Sequence, residues 1–209
     1  MAKEQVKITA THLLIVEGKD ELGFFRAFNK HHKVSDVQII PIGGKTQFKA
    51  QLNAVVNLSD FSNVTAIGII RDADDSEKSA FDSICSALSV NNLAQPLEIS
   101  SFIESEPAIG ILIMPTNNEG TGRMLEDVCL AAVMDDPASS CVDDYFKCLS
   151  EAEITHKDKD IAKAYLHAFL ASRKVPDLRL GEAAQKGYFD FNHAVFQPIK
   201  AFLETLSKL

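Results

Sequence analysis

The patterned part of the chain begins with a wholly apolar run, Leu13-Leu14-Ile15-Val16, that passes at once into acids at Glu17, Asp20 and Glu21. A continuous run of this kind predicts a strand buried on both faces. In DELGFFRAFNKHH, Leu22, Phe25 and Phe28 then recur at helical spacing. The alternation repeats. VQIIPIGG reads as a strand ended by two glycines, and KTQFKAQLNAVVNLSDF places Phe48, Leu52, Val55 and Val56 on one helical face. VTAIGIIRDADDS reads as a third strand, and EKSAFDSICSALS as a helix with Phe81, Ile84, Cys85 and Leu88 on one side. PLEISSFI and AIGILIMP are two further β-rich runs. From about Gly122 the spacing is helical only, through GRMLEDVCLAAVM, VDDYFKCLSEA, KDIAKAYLHAFLASR and FQPIKAFLETLSKL. Apolar strands alternating with helices predict an α/β fold: a mainly parallel sheet with helices on both faces and a helical C-terminal third. The expected organisation is one domain over 1–209, an α/β core at 8–121 carrying a helical extension at 122–209. No repeat or low-complexity tract interrupts it.

Composition refines this picture. With 46% hydrophobic and 24% charged residues, the chain can bury a full core. Cys85, Cys129, Cys141 and Cys148 form no C-x-x-C pair and no zinc spacing with the histidines, so free thiols in a reducing compartment are expected. The start, MAKEQVKITA, lacks an apolar signal core, and no run approaches the roughly 20 apolar residues of a membrane span. A cytoplasmic protein with no membrane partner is the expectation. The net charge of −8 argues against a generic nucleic-acid coat, and its distribution is uneven. Residues 51–150 carry four Lys or Arg against sixteen Asp or Glu, so the acidity sits in the middle of the chain. An acidic middle is either a solvated surface or a site for a hard divalent cation, and charge alone leaves both open.

Position separates the acids. Parallel sheets hold their ligands at the carboxyl ends of the strands. Glu17 ends the first strand; Asp72 and Asp74 end the third and, two apart in an extended segment, would aim to one side. If those strands are neighbours, three carboxylates converge, a costly arrangement that Mg²⁺ or Mn²⁺ relieves. The structural alternatives are helix caps. Asp75 or Ser76 is better placed than Asp72 to cap the third helix, which leaves Asp72 and Asp74 with no cap to form. Asp20 and Glu21 suit the positive end of the first helix, and Glu126 and Asp127 suit a solvated helix face. GGKT at 43–46 is not a Walker A loop, because Ile39 stands where the first glycine belongs. The Gly43-Gly44 turn with Lys45 remains a place to hold a phosphate. His31 and His32 fall near the end of the first helix, and no histidines cluster. Tyr188, Phe189 and Phe191 fit core packing better than base stacking.

An apolar strand ending in Val16-Glu17-Gly18, followed by one ending in Asp72-Ala73-Asp74, resembles the Toprim domain of topoisomerases, primases and the overcoming-lysogenization-defect (OLD) nucleases. Gly110 to Pro115, Leu125-Glu126-Asp127 and Gly181-Glu182-Ala183-Ala184 through Phe191 extend the likeness to a group of uncharacterised stand-alone Toprim-like proteins. The resemblance implies a Toprim-like, Rossmann-like sheet. It implies Glu17 as general acid or base, Asp72 and Asp74 as catalytic metal holders, and Glu21 as the additional acid of OLD-type nucleases. A later acid, Glu119 or Glu126, and a lysine, Lys159 or Lys163, would complete such a site. Lys45, Arg71 and Lys163 are the candidate substrate contacts, with Lys49 and Arg123 further cations to look for near the acids. The expected activity is Mg²⁺- or Mn²⁺-dependent phosphodiester chemistry, a nuclease first of all. The alternative is a non-catalytic module binding nucleotide, nucleic acid or a protein. The resemblance implies nucleic acid as a partner and, because Toprim nucleases often work beside one, a separate ATPase or other protein; the absence of a P-loop here fits that without establishing it.

Overall fold

The computed structural model describes residues 7–44, 46–74, 76–114 and 124–209, with Lys159 described in its backbone alone. Lys45, Asp75, Glu119 and Arg123 therefore lie outside the described residues. The elements follow the predicted alternation: β1 (His12–Val16), α1 (Lys19–His32), β2 (Val37–Pro41), α2 (Phe48–Val56), β3 (Ala66–Asp72) and α3 (Glu77–Val90). Then come β4 (Phe102–Ile103), β5 (Ala108–Met114) and five helices: α4 (Leu125–Ala132), α5 (Pro137–Glu151), α6 (Ile161–Ala171), α7 (Leu180–Gln185) and α8 (Gln197–Leu206). No helix among the described residues is long and apolar enough to cross a membrane.

The strands form one sheet in the order β2-β1-β3-β5-β4. Four of them are parallel; β4 alone runs antiparallel, pairing Phe102 with Gly110 and Ile103 with Ile109. PLEISSFI, read as a β-rich run, yields only these two residues of strand. Its Leu97 is 89% exposed and Ser100 takes a left-handed φ of 66°, so the run neither alternates in burial nor stays extended.

Strand alternation divides the core. Even-numbered residues of the central strands (Leu14, Val16, Ile70, Leu112, Met114) pack with α1 and the C-terminal helices. Odd-numbered ones (Leu13, Ile15, Ile67, Ile69, Ile111, Ile113) pack with Phe48 and Leu52 of α2 and with Ile84 and Leu88 of α3. Both faces are therefore covered, which is why the strands read as unbroken apolar runs. Gly68 is on the even face because α8 presses there: a Cβ would sit 2.8 Å from a Leu206 methyl. Phe189 and Phe191 are buried, Phe191 packing edge-on to Phe24, Phe28 and Phe196. These rings are core, as their sequence context suggested.

Candidate functional site

The chain leaves β1 for β2 on one side and for β3 on the other, so the strand order reverses between β1 and β3. The carboxyl ends of these two strands flank the crevice where open α/β sheets bind ligands. Glu17 directly follows β1, and Asp72 is the last residue of β3. The two strands do pair, parallel and in the register Ile15 to Ile69.

Two residues beyond that pair stand Glu17 and Arg71, and the register makes them partners. Arg71 Nε donates to Glu17 Oε1 at 3.0 Å. The arginine is only 4% exposed, lies with its guanidinium 5.2 Å from the Phe48 ring centre, and leaves its buried Nη1 without a hydrogen-bond partner. It is committed to Glu17. The Glu17 carbonyl is also engaged: it accepts from the amides of Gly43 and Gly44 at 2.8 and 2.9 Å. The glycine turn therefore spends those two N–H groups on the end of β1, and they are not a phosphate cradle. Both glycines have positive φ, 83° and 88°, which is the conformation that brings successive amides to one acceptor.

Asp72 has a structural role that its own strand does not reveal. Ser76 caps α3, accepting from Ser79 N, as expected. Asp72 instead reaches across to α4, its Oδ1 accepting from Leu125 N at 3.0 Å. Leu125 is the first residue of α4, so the helix starts on the carboxylate of β3. Burial, then the charges of Glu126, Glu17 and Glu21, push the Asp72 carboxyl well above its usual range, against the Leu125 N–H. Asp74 does not follow the strand alternation invoked for it. The backbone turns left-handed there, φ 51°, so Asp72 and Asp74 are not two positions of one extended segment.

The other acids come from helices. Glu21, in the first turn of α1, is shifted upward by burial and by Glu126, Glu17 and Asp20. Glu126, in the first turn of α4, is shifted upward mainly by burial and lowered by the approach of Lys163 from α6. Helix spacing suggested a solvated face for Glu126, and the resemblance offered it as a later acid of the site. It faces the acids, because Asp72 fixes the start of α4 beside them. Lys163 is thus brought to the site, on an exposed position of α6. Lys49 is exposed on α2, while His31 and His32 bond to Asn192 Oδ1 and the Phe191 carbonyl at the far end of α1.

The oxygen donors are of the type that a divalent cation takes, although among the described residues they are not gathered into a ligand set. Glu126, Glu17 and Glu21 lie close enough to Asp72 to raise its proton affinity, and Mg²⁺ takes oxygen ligands of this type. Among the described residues, no three acidic, histidine or cysteine side chains converge into a ligand set, and Glu17 is turned toward Arg71.

Solved structures share this fold. The C-terminal region of the Xanthomonas campestris pv. campestris OLD protein superposes with a TM-score of 0.51 at 13% identity, covering 95% of both chains. The C-terminal region of the Burkholderia pseudomallei OLD protein gives 0.50 at 13% identity, over 96% of this chain and 98% of that one. No curated protein matches the chain. Residues 11–208 match the family described as "Protein of unknown function (DUF3226)", and the chain belongs to that family.

Proposed function

We propose that the chain is a divalent-metal-dependent enzyme of Toprim type acting on phosphodiester bonds, a nuclease first of all. One observation carries this reading: Asp72 sits at the strand-order reversal with its proton affinity raised by burial and by Glu17, Glu21 and Glu126, which come from separate segments. Such mutual repulsion costs stability and persists where a site uses it. The likeness of fold to the C-terminal regions of two OLD proteins supports it.

In this reading Asp72, Glu21 and Glu126 would hold Mg²⁺ or Mn²⁺, with Glu17 and Asp74 the further acids of the Toprim pattern. When bound, the ion supplies charge stabilisation at phosphate and a water of lowered pKa. The chain's own groups do the rest. Arg71 fixes Glu17 through Oε1, leaving Oε2 to accept or return a proton. The Leu125 N–H anchors Asp72, and Lys163 brings positive charge beside Glu126.

The test is nicking of supercoiled plasmid and cleavage of single strands with Mg²⁺ or Mn²⁺, beside Asp72→Asn. The variant is expected to lose more than the roughly 10–100-fold that even outer-shell changes cost at metal sites. Undiminished cleavage by Asp72→Asn would sink the assignment. The Glu17–Arg71 ion pair favours a second reading, a non-catalytic module binding nucleotide, nucleic acid or a protein partner such as a separate ATPase. That reading expects no cleavage by either protein.

A further inference from the structure

Beside the carboxylates lies a cavity of about 300 Å³, lined by Asp20, Glu126, Lys163, His167 and Arg179 over a floor of leucines. Four helices build it. Asp20 comes from α1 and Glu126 from α4; Lys163 and His167 stand one turn apart on α6; and Arg179 directly precedes α7. The i, i+4 spacing stacks Lys163 and His167 on one face, while Leu166 and Leu170 of the same helix are buried beneath.

The charges in this cavity are not self-contained. Its two acids act on the carboxylate cluster: Glu126 raises Asp72 and Glu21, and Asp20 raises Glu21. Of its cations, Lys163 acts on Glu126 within the cavity. The ion pairs among the described residues join Arg71 to Glu17, Lys78 to Asp82, Arg173 to Asp136 and Lys200 to Glu204, and none involves Lys163, His167 or Arg179. His167 and Arg179 therefore open onto a concavity next to the acids without an ion pair among the described residues, while Lys163 offsets Glu126.

We infer that this cavity is a phosphate subsite, in which His167 and Arg179 hold the phosphate of the nucleotide next to the bond being cleaved. The inference rests on the phosphodiester reading above and adds two residues that neither the strand-end motifs nor the resemblance indicated. Arg179 offers a planar fork of N–H groups suited to phosphate oxygens, and His167 a ring N–H from the opposite helix. The volume is at the lower limit of small-ligand cavities and is ample for a phosphate group.

The probe is thymidine 3′,5′-bisphosphate, titrated calorimetrically into the full chain with Mg²⁺ present and compared with thymidine. Wild type is expected to bind the bisphosphate and not the nucleoside. Arg179→Gln and His167→Gln should each weaken it about tenfold, the usual effect of losing a charged hydrogen bond. Arg26→Gln, a cation lining a separate cavity beside α1, should change it less than twofold. Arg179 and His167 are exposed, so thermal unfolding of their variants should match wild type. The inference is overturned by absence of bisphosphate binding, by unchanged affinity in both variants, or by an equal loss in Arg26→Gln. Cleavage that depends on Asp72 beside unchanged affinities removes the subsite and leaves the enzyme. Affinity that depends on Arg179 and His167, with no cleavage, leaves the subsite and removes the enzyme.

Discussion

Asp72 serves two demands that oppose each other. Its Oδ1 starts α4 through Leu125 N, which favours a hydrogen-bond acceptor there. Its negative charge sits buried among Glu126, Glu17 and Glu21, which disfavours ionisation. An asparagine keeps the acceptor and removes the charge. The sign follows from linkage. A carboxyl whose folded pKa lies above its unfolded one makes the folded state bind more protons, so stability rises as pH falls through the folded pKa. The penalty is full above that value and has gone below the unfolded value. Asp72→Asn is therefore expected to be more stable than wild type at neutral pH, by about 0.5–2 kcal/mol as for other relieved sites. The gap should close as pH falls toward the ordinary carboxylate range. Urea unfolding at a series of pH values measures both, and an Asp72→Asn less stable at neutral pH would mean the cap outweighs the charge. Glu17 and Asp72 were legible from their places after apolar runs. Arg71 as the partner of Glu17 was not, although a lone arginine in AIGIIRD already signals a buried counter-charge. Glu126 was indicated only by the resemblance, as one of two candidates, because its orientation depends on a cap 54 residues earlier in the chain, which local spacing does not encode.

Among the elements, the strands and long helices were readable because each buries an apolar face with its own period. The meeting of α1 and α7 was not, since it depends on two glycines far apart in the chain. A Cβ on Gly23 would lie 2.9 Å from the Gly181 Cα, and one on Gly181 would lie 2.6 Å from the carbonyl oxygen of Asp20. Both obstacles are backbone, so neither can swing aside. The crossing also places the first turn of α1, with Asp20 and Glu21, beside the α7 end that carries Arg179. Gly181→Ala gains helix propensity of about 1 kcal/mol but must push α7 away from α1. Overpacking of this kind costs about 1–3 kcal/mol, and backbone contacts put it at the upper end. The expected net result is destabilisation, read as a lower urea midpoint at unchanged slope. An unchanged midpoint would show that the helices separate freely, and with them the two sides of the candidate phosphate cavity.

For the molecule as a whole, the net charge of −8 and the carboxylates gathered at the carboxyl ends of β1 and β3 predict different responses to cations. Diffuse repulsion is relieved by any salt, because screening acts on all exposed charges. A built site answers only to ions that take oxygen ligands in a fixed set. The measurement is the thermal midpoint in Mg²⁺ or Mn²⁺ against NaCl of matched ionic strength. A site with millimolar affinity, at tenfold excess of ion, stabilises by about 1.4 kcal/mol through mass action. For a chain of this size that is about 3–6 °C. Asp72→Asn and Glu126→Gln should abolish the divalent excess while keeping the response to NaCl. Gly181→Ala should reduce it, since α7 sets the position of the first turn that bears Glu21. Equal shifts in wild type and both acid variants would assign the effect to screening. The four carboxylates would then be a strained cluster at the carboxyl end of the sheet, held by Arg71 and Leu125, with no ion to relieve it.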